Sequence, residues 1–498
     1  MTPPNPVEIE LKLALPPDQV AWFMKLIARR RCVPVQQNLM TRYYDTPDFA
    51  LSAQGIALRV RKVGRRWLQT LKTEGERQGG LSRRAEYEMA VPNNKPDWSR
   101  FPAAAQALVP AALRAKLIPV FETQFTRTAW LVGSRGKAKI EVALDVGEVR
   151  AGKRRQPICE IELELKAGKP DALFVLAAGW ARQLDCLPLD VSKAERGVRL
   201  ARGDAAAPAK SAPIALRDDM RVEEGLAAII QSCLAQFQSN LPGVLASADI
   251  EYVHQARVAL RRLRATLHLM RRACVLPEAL LEPLHAMVAA LGPARDWDVL
   301  CCVTLPAIAP HDADEDAWQA GLSVLEARRA EVRSAMRAEI LNARPGGWLL
   351  ALQRWLMRQA WRDDFESRRR VQVLPLNKWA RRKLRQGHQL ITRKARAYKK
   401  LSPAERHALR IVIKRQRYAA EFFQDLLIVR YGARYQAALQ DMQESSGRNN
   451  DFRVANQLLK QRGAELGSMG KFARAWLAQY RVGSDKTRLE RQLKNFVK

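Results

Sequence analysis

The chain holds 498 residues, with 84 Lys plus Arg against 51 Asp plus Glu, a formal net charge of +33 and 47% hydrophobic residues. That is a globular composition with room for roughly two to four domains, and its charge points to a polyanionic partner such as nucleic acid, polyphosphate or an anionic membrane. Seven cysteines, odd in number and without paired metal-ligand spacing, argue against a disulfide framework and for a cytosolic location. No basic segment followed by an apolar run opens the chain, and no run of about eighteen apolar residues occurs, which speaks against export and against a membrane span.

Val7 to Leu13 alternate strictly, the pattern of a β-strand with Val7, Ile9, Leu11 and Leu13 on one face and Glu8, Glu10 and Lys12 on the other. Pro17 to Arg31 reads as an amphipathic helix presenting Val20, Phe23, Met24 and Ile27. Alternation returns at residues 56–63, with Arg59 and Arg61 on one face, at 67–73, with Thr70 and Lys72 together, and at 83–91, with Arg84, Glu86 and Glu88. Further strands are expected at 120–131, carrying Arg127, and at 138–146, where Glu141 and Asp145 oppose Ile140, Val142 and Leu144. Residues 159–166 repeat the opening pattern, with Glu160, Glu162, Glu164 and Lys166 on one face.

Such strands fit either the wet side of an antiparallel sheet or the polar lumen of a closed barrel. Thr, Ser or Gln would serve a solvated face equally well and favour strands more, so the charge itself is informative: Arg and Lys opposite carboxylates suit an anion together with a metal ion. The ordered set Glu8-x-Glu10-x-Lys12, Arg59-x-Arg61, Lys72, Arg127, Asp145, Glu160-x-Glu162-x-Glu164 and Lys193 resembles the CYTH family of triphosphate tunnel metalloenzymes over about residues 5–200. The resemblance implies an eight-stranded antiparallel tunnel, a divalent metal (Mg²⁺ or Mn²⁺), and hydrolysis or transfer at a linear triphosphate. On that basis Lys12, Arg59, Arg61, Lys72, Arg127 and Lys193 are expected to bind triphosphate, and Glu8, Glu10, Asp145, Glu162 and Glu164 to hold metal. Glu8, Glu10 and Lys12 would form the catalytic core. Spacing fixes no role for Arg84, Glu86, Glu88, Glu141 or Glu160.

A Pro/Ala-rich linker at 204–216 separates an expected first domain, 1–203, from a helical one, 217–498. In the latter, His254, Arg257, Arg261 and Arg264 share one helical face, and the same spacing recurs 153 residues on at His407, Arg410, Lys414 and Arg417. Forty-four residues after each His stands Asp298 or Asp451, in RDWD and RNND. Residues 368–417 contain eighteen Lys or Arg and one acid, Glu405, a density that self-repels unless a ligand neutralises it. No sequence-reading nucleic-acid module accompanies it.

The two His-containing segments resemble the CHAD domain, a helical domain often fused to CYTH, over about residues 218–490. This implies a bundle that binds inorganic polyphosphate through the eight residues of the two stripes, although either histidine could cap a neighbouring helix instead. The expectation is therefore an α+β chain: a helix-clad eight-stranded antiparallel tunnel followed by an all-α bundle with a two-fold internal repeat. It would hydrolyse inorganic triphosphate to pyrophosphate and phosphate in the cytoplasm, or at polyphosphate granules. Competing readings are a non-catalytic polyphosphate-binding or granule-targeting protein, and a triphosphatase acting on thiamine triphosphate or nucleoside triphosphates.

Overall fold

The computed structural model describes residues 7–133, 138–308, 315–363, 366–426, 429–483, 491–493 and 496. Residues 1–6, part of the opening stretch on which the expectation about export rests, lie outside them. The chain forms two compact units, one of residues 1–207 with 344–358, the other of residues 208–343 with 359–498.

Eight strands build the first unit: β1 (Val7–Ala14), β2 (Val35–Asp45), β3 (Ala57–Val63), β4 (Arg66–Lys72), β5 (Leu81–Val91), β6 (Ile118–Gly133), β7 (Lys139–Ala151) and β8 (Arg154–Ala167). They pair antiparallel in the order β1-β8-β7-β6-β2-β3-β4-β5, and the ring closes because β5 also pairs with β1. Two short strands, Glu76–Gln78 and Leu187–Pro188, add to the margins. Closure removes the unpaired edges that an open sheet would leave, so the expected eight-stranded antiparallel tunnel is present. Seven strands coincide with the alternating segments. The eighth, β2, is Leu39, Thr41 and Tyr43 on its inward face, which carries no charge and so leaves no trace in a pattern built on charge.

The outward faces are apolar and covered by helices. Leu11, Leu13, Trp130, Val142, Leu144, Ile161 and Leu163 pack under α1 (Val20–Ala28) and α2 (Asp171–Ala181), and Phe23 of α1 meets Trp180 of α2 edge-on at 5.2 Å. Each such side chain contributes roughly 1.5–3 kcal/mol on burial. The first helix is shorter than its pattern suggests, and Met24 points to solvent while Phe23, Leu26 and Ile27 are buried. Helix Pro345–Met357, far away in sequence, completes this core through the fully buried Leu350. Arg354 grips Asp171 at 2.7 and 2.9 Å, and Arg344 reaches Asp185 at 2.6 Å.

At one end of the barrel the inward side chains turn apolar: Leu39, Tyr43, Phe121, Phe125, Val149 and Ile158 pack against Ala194 and Val198 of α3 (Lys193–Arg202). The approach is so close that a Cβ at Gly197 would lie 2.0 Å from the Phe121 ring. Ser192 and Glu195 form a reciprocal capping box at the start of α3, which fixes where its first residue, Lys193, enters the barrel.

The second unit is helical: α4 (Val222–Ala246), α5 (Ile250–Leu269), α6 (Glu278–Val299), α7 (Glu315–Asn342), α8 (Leu376–Arg396), α9 (Pro403–Phe422), α10 (Val429–Gln461) and α11 (Gly463–Gly483), the last kinked at Gly467. The two His-containing stripes lie on α5 and α9. These helices are joined by a buried ion pair, Arg262 Nε to Glu421 at 3.0 Å, with Arg262 also donating to Gln236 at 2.9 Å. No helix among the described residues is long and apolar enough to cross a membrane.

Candidate functional site

Strand alternation delivers charge to the barrel lumen. Its cavity, about 70 Å³, is lined by seven cations, Lys12, Arg59, Arg61, Lys72, Arg84, Arg127 and Lys193, and by five carboxylates, Glu8, Glu10, Glu141, Glu162 and Glu164, with Tyr43 and Ser192 beside them. Ten of the eleven tunnel residues expected from sequence therefore share one cavity. The eleventh, Asp145, lies fully buried behind its wall.

Most of these charges neutralise one another. Lys12 lies 2.8 Å from Glu10 and 3.5 Å from Glu162, Lys72 lies 2.7 Å from Glu8 and 3.1 Å from Glu86, and Arg84 bonds both Glu8 and Glu10. Register makes these pairs: β1 sets Glu8 opposite Arg84 of β5 and Lys12 opposite Glu162 of β8. Burial alone would raise the Glu10 carboxyl, but Lys12 and Arg84 outweigh it and hold the group below its ordinary value.

Asp145 takes two hydrogen bonds from Arg127 and one from Lys193 Nζ at 2.6 Å. Lys193 also contacts Glu160 and Glu162, so its ammonium stands among Asp145, Glu160 and Glu162, the buried acidic cluster whose oxygens lie close enough to share a cation. Burial opposes the charge on Lys193, yet these three carboxylates raise its pKa above the usual lysine range. On the other wall Glu164 is crowded. Burial raises its carboxyl, Lys166 at 2.6 Å counteracts in part, and Glu8 and Glu141 push it further up.

Arg61 is the exception. Among the described residues no carboxylate pairs with it, and its Nε donates only to Thr41 at 3.2 Å. Burial, then Arg59 and Arg127, pull its pKa down to about 10. Arg59 nearby leaves its buried Nε without a partner.

The second unit holds a roomier cavity, about 530 Å³, in which the two stripes meet: His254, Arg257 and Arg261 of α5 face His407, Arg410 and Lys414 of α9. Arg264 and Arg417 sit one turn further along and are not in it. Arg264 is exposed, and Arg417 donates to Gln443 at 2.8 Å and pairs with Glu421 at 3.1 Å. Arg295 and Asp296 of RDWD and Asn450 and Asp451 of RNND also line it, together with Gln443 and Glu444, which the sequence did not single out. None of its five cations (Arg257, Arg261, Arg295, Arg410, Lys414) lies within ion-pairing distance of a carboxylate among the described residues. Arg295 Nη1 and Arg410 Nε are buried without a hydrogen-bond partner. Burial, then Arg261 and Arg410, pull Lys414 down to about 7.

Asp298 belongs elsewhere. It is fully buried and takes both Arg333 contacts at 3.0 Å. The cavity-facing sets are Arg295, Asp296, Val299 and Leu300 on one side and Asn450, Asp451, Val454 and Ala455 on the other, each offset by 155 residues rather than 153. The second repeat thus carries two extra residues before α10 reaches the cavity, and Asp296, not Asp298, is the counterpart of Asp451. The side chains of Arg448 and Asn449 lie outside the described residues.

A closed barrel with paired cations and carboxylates in its lumen, followed by a helical unit whose repeated His-Arg stripes share a cavity, defines a two-domain CYTH–CHAD protein. Residues 7–198 are a CYTH domain and residues 228–460 a CHAD domain, as the motifs implied. Over 197 residues the chain is 37% identical to a protein of Haemophilus influenzae named inorganic triphosphatase, a match covering 39% of this chain and 54% of that one, so the chain spans about half the length of this relative. The crystal structure of the CHAD domain from the plant Ricinus communis aligns with 58% of this chain and 97% of its own length, at a TM-score of 0.51 and 29% identity.

Proposed function

We propose that the tunnel hydrolyses inorganic triphosphate to pyrophosphate and phosphate with a divalent cation, and that the helical cavity binds inorganic polyphosphate. Arg61 carries the first part: a guanidinium withdrawn from water beside two others, with no carboxylate partner among the described residues, is costly until an anion arrives. Most of the other lining cations already pair with carboxylates, Glu86, Asp145 and Glu160 among them, which leaves Arg61 as the group an arriving anion would neutralise. The name of the Haemophilus influenzae relative supports the same substrate.

The donor set fits such an ion. Glu8, Glu10, Glu162 and Glu164 would supply the carboxylate oxygens that hard Mg²⁺ or Mn²⁺ takes, and a cation there would relieve the crowding of Glu164 by Glu8 and Glu141; among the described residues the oxygens that already converge are those of Asp145, Glu160 and Glu162, around the Lys193 ammonium. Bound metal would offset charge on the phosphoryl oxygens and acidify a water. The chain's own part is positioning. Arg59, Arg61 and Arg127 offer forks to phosphate oxygens, Lys12, Lys72 and Lys193 offer point charges, and Asp145 with Glu160 holds Arg127 and Lys193 in place. Exchanging internal ion pairs for bonds to substrate keeps these groups pre-organised for in-line displacement.

The second part rests on the five cations around the larger cavity that pair with no carboxylate among the described residues, and which a phosphate polymer would neutralise; binding of this kind would place the protein at polyphosphate granules in the cytoplasm. The test is phosphate release by the full chain from triphosphate, pyrophosphate, ATP, thiamine triphosphate and long polyphosphate with Mg²⁺ or Mn²⁺, alongside salt-dependent binding of polyphosphate and DNA. Metal-dependent turnover of triphosphate, lost in Glu8→Ala and Glu10→Ala variants that still fold and bind polyphosphate, is the expected result. Full activity in both variants would overturn the tunnel assignment, and tighter binding of DNA at equal charge concentration the polyphosphate assignment.

A further inference from the structure

The basic run 368–417 is only partly used by the cavity of the helical unit. Of its eighteen Lys and Arg, Arg410 and Lys414 line that cavity. Eight others lie on α8, a helix without Asp or Glu. Leu376, Trp379, Ala380, Leu384 and Ile391 bury one side of it, and on the opposite side Lys378, Arg382, Arg385, Arg393 and Arg396 are exposed. With Gln389 between Arg385 and Arg393, they step by three and four along a single helical stripe, a straight cationic ridge about 27 Å long at about 1.5 Å per residue. None of the five pairs with a carboxylate among the described residues. On the flank, burial and then Arg272, Arg271 and Arg382 hold Lys383 below its ordinary value, so the cationic surface runs on to the exposed arginines of the turn after α5.

Folding does not call for a ridge of one sign. Like charges three and four apart weaken a helix, and carboxylates interleaved among them would strengthen it and keep it equally soluble. The counter-charge is therefore external. We propose that the outer face of α8 binds double-stranded nucleic acid through its phosphate backbone, without reading sequence. A duplex rises about 3.4 Å per base pair, so the ridge spans about eight base pairs. Shape selects this partner. A thin, flexible phosphate chain on a convex ridge is neutralised along one side only, whereas a wide, stiff duplex presents a surface of phosphates to a straight row of cations. Trp379, the one Phe, Tyr or Trp of the helix, is on its buried side, so no ring on the ridge stacks an unpaired base. The same burial leaves no apolar stripe on α8 to enter a lipid surface. The site is separate from the polyphosphate reading, because none of the five residues lines the cavity.

The experiment compares the full-length wild type with a variant combining Lys378→Gln, Arg382→Gln, Arg385→Gln and Arg393→Gln, substitutions that keep helix propensity. Binding of duplex DNA of about 30 base pairs is followed by fluorescence anisotropy between about 50 and about 200 mM salt, alongside thermal melting and binding of long polyphosphate and of phosphatidylserine vesicles. Wild type should bind duplexes of unrelated sequence alike, and less tightly than polyphosphate at equal charge concentration. The variant should lose at least about tenfold in duplex affinity, and its log–log salt slope should flatten by about three to four, at about 0.9 per phosphate contact removed. Melting should be unchanged and polyphosphate affinity should stay within about threefold. An unchanged duplex affinity and slope overturns the proposal. Parallel loss of duplex and polyphosphate would give the ridge to the polyphosphate site, and loss of vesicle binding with duplex binding intact would give it to a membrane; either result overturns it as well.

Discussion

Arg127 and Asp145 form a two-pronged pair between β6 and β7, Nε to Oδ1 at 2.8 Å and Nη2 to Oδ2 at 2.6 Å. Arg61, which feels the charge of Arg127, has no such partner. The two arginines should therefore respond oppositely to removal. Arg127→Ala leaves the fully buried Asp145 with Lys193 alone and is expected to cost about 3 kcal/mol. Arg61→Gln relieves repulsion: a cation whose pKa is lowered in the folded state to about 10 destabilises the fold wherever it is charged, so at neutral pH the variant should melt at or above the wild-type temperature. Its KM for triphosphate should rise at least about tenfold. Paired melting curves and kinetics check this, and equal destabilisation by both substitutions would refute it.

Lys414, held near 7, predicts proton-linked binding in the helical unit. Near pH 7 about half of these side chains are neutral in the free cavity, whose cationic walls disfavour the ammonium. A bound polyanion favours it, raising the pKa. Affinity is then fullest below pH 7 and falls as pH rises through the raised value, with up to about one proton taken up per site between the two. Burial, then Arg295, holds His254 below its ordinary value, so its contribution falls at more acidic pH. Titration calorimetry with polyphosphate at pH 8 in buffers of different ionisation enthalpy should reveal the uptake. Lys414→Arg should bind and abolish it; buffer-independent heats in wild type would contradict the assignment.

Legibility followed the kind of constraint each residue obeys. Glu8, Glu10, Lys12, Arg59, Arg61 and Lys72 are visible because strand period puts alternate charges on one face, and the structure gathers them in one cavity. Tyr43 escapes because it lines the cavity from a strand face that carries no charge, so a pattern built on charge does not reveal it. Asp145 reads as a cavity carboxylate from its face, yet it is fully buried because Arg127, directly opposite, and Lys193 both bond it. In the helical half, spacing within a helix picked out residues six of which line one cavity, whereas spacing between helices misled: an offset of 155 rather than 153 residues displaced the Asp equivalence. Helix Pro345–Met357 lies in a sequence region whose neighbours build the other unit, and only packing assigns it to the barrel.

The two aspartates near the end of α6 separate binding from folding. Asp296 lines the cavity of the helical unit, whereas Asp298 neutralises the buried Arg333. Asp296→Asn removes a negative charge from the anion's surroundings and should tighten polyphosphate binding about three- to tenfold with little change in melting. Asp298→Asn leaves Arg333 without its carboxylate and should cost about 3 kcal/mol. If Asp298→Asn left stability intact while Asp296→Asn weakened binding, the two roles would have to be exchanged.

Leu350 tests whether the barrel depends on residues that follow it by more than a hundred positions. Its side chain is fully buried with Leu11, Leu13 and Phe174, and its helix is tied to the same unit by Arg354–Asp171 and by Gln353, which accepts from Gln78 at 3.1 Å. Gln78 precedes the Gly79–Gly80 turn, where the Gly80 carbonyl accepts from the backbone N–H of Lys12, so this helix supports the margin from which Lys12 projects. Leu350→Ala should cost about 2–5 kcal/mol, and triphosphate turnover should be lost at a temperature lower by several degrees. Leu284→Ala, an equally buried change in the second unit, should leave that temperature nearly unmoved while weakening thermal retention of polyphosphate binding. Identical inactivation profiles for the two variants would mean that Leu350 does not stabilise the barrel selectively.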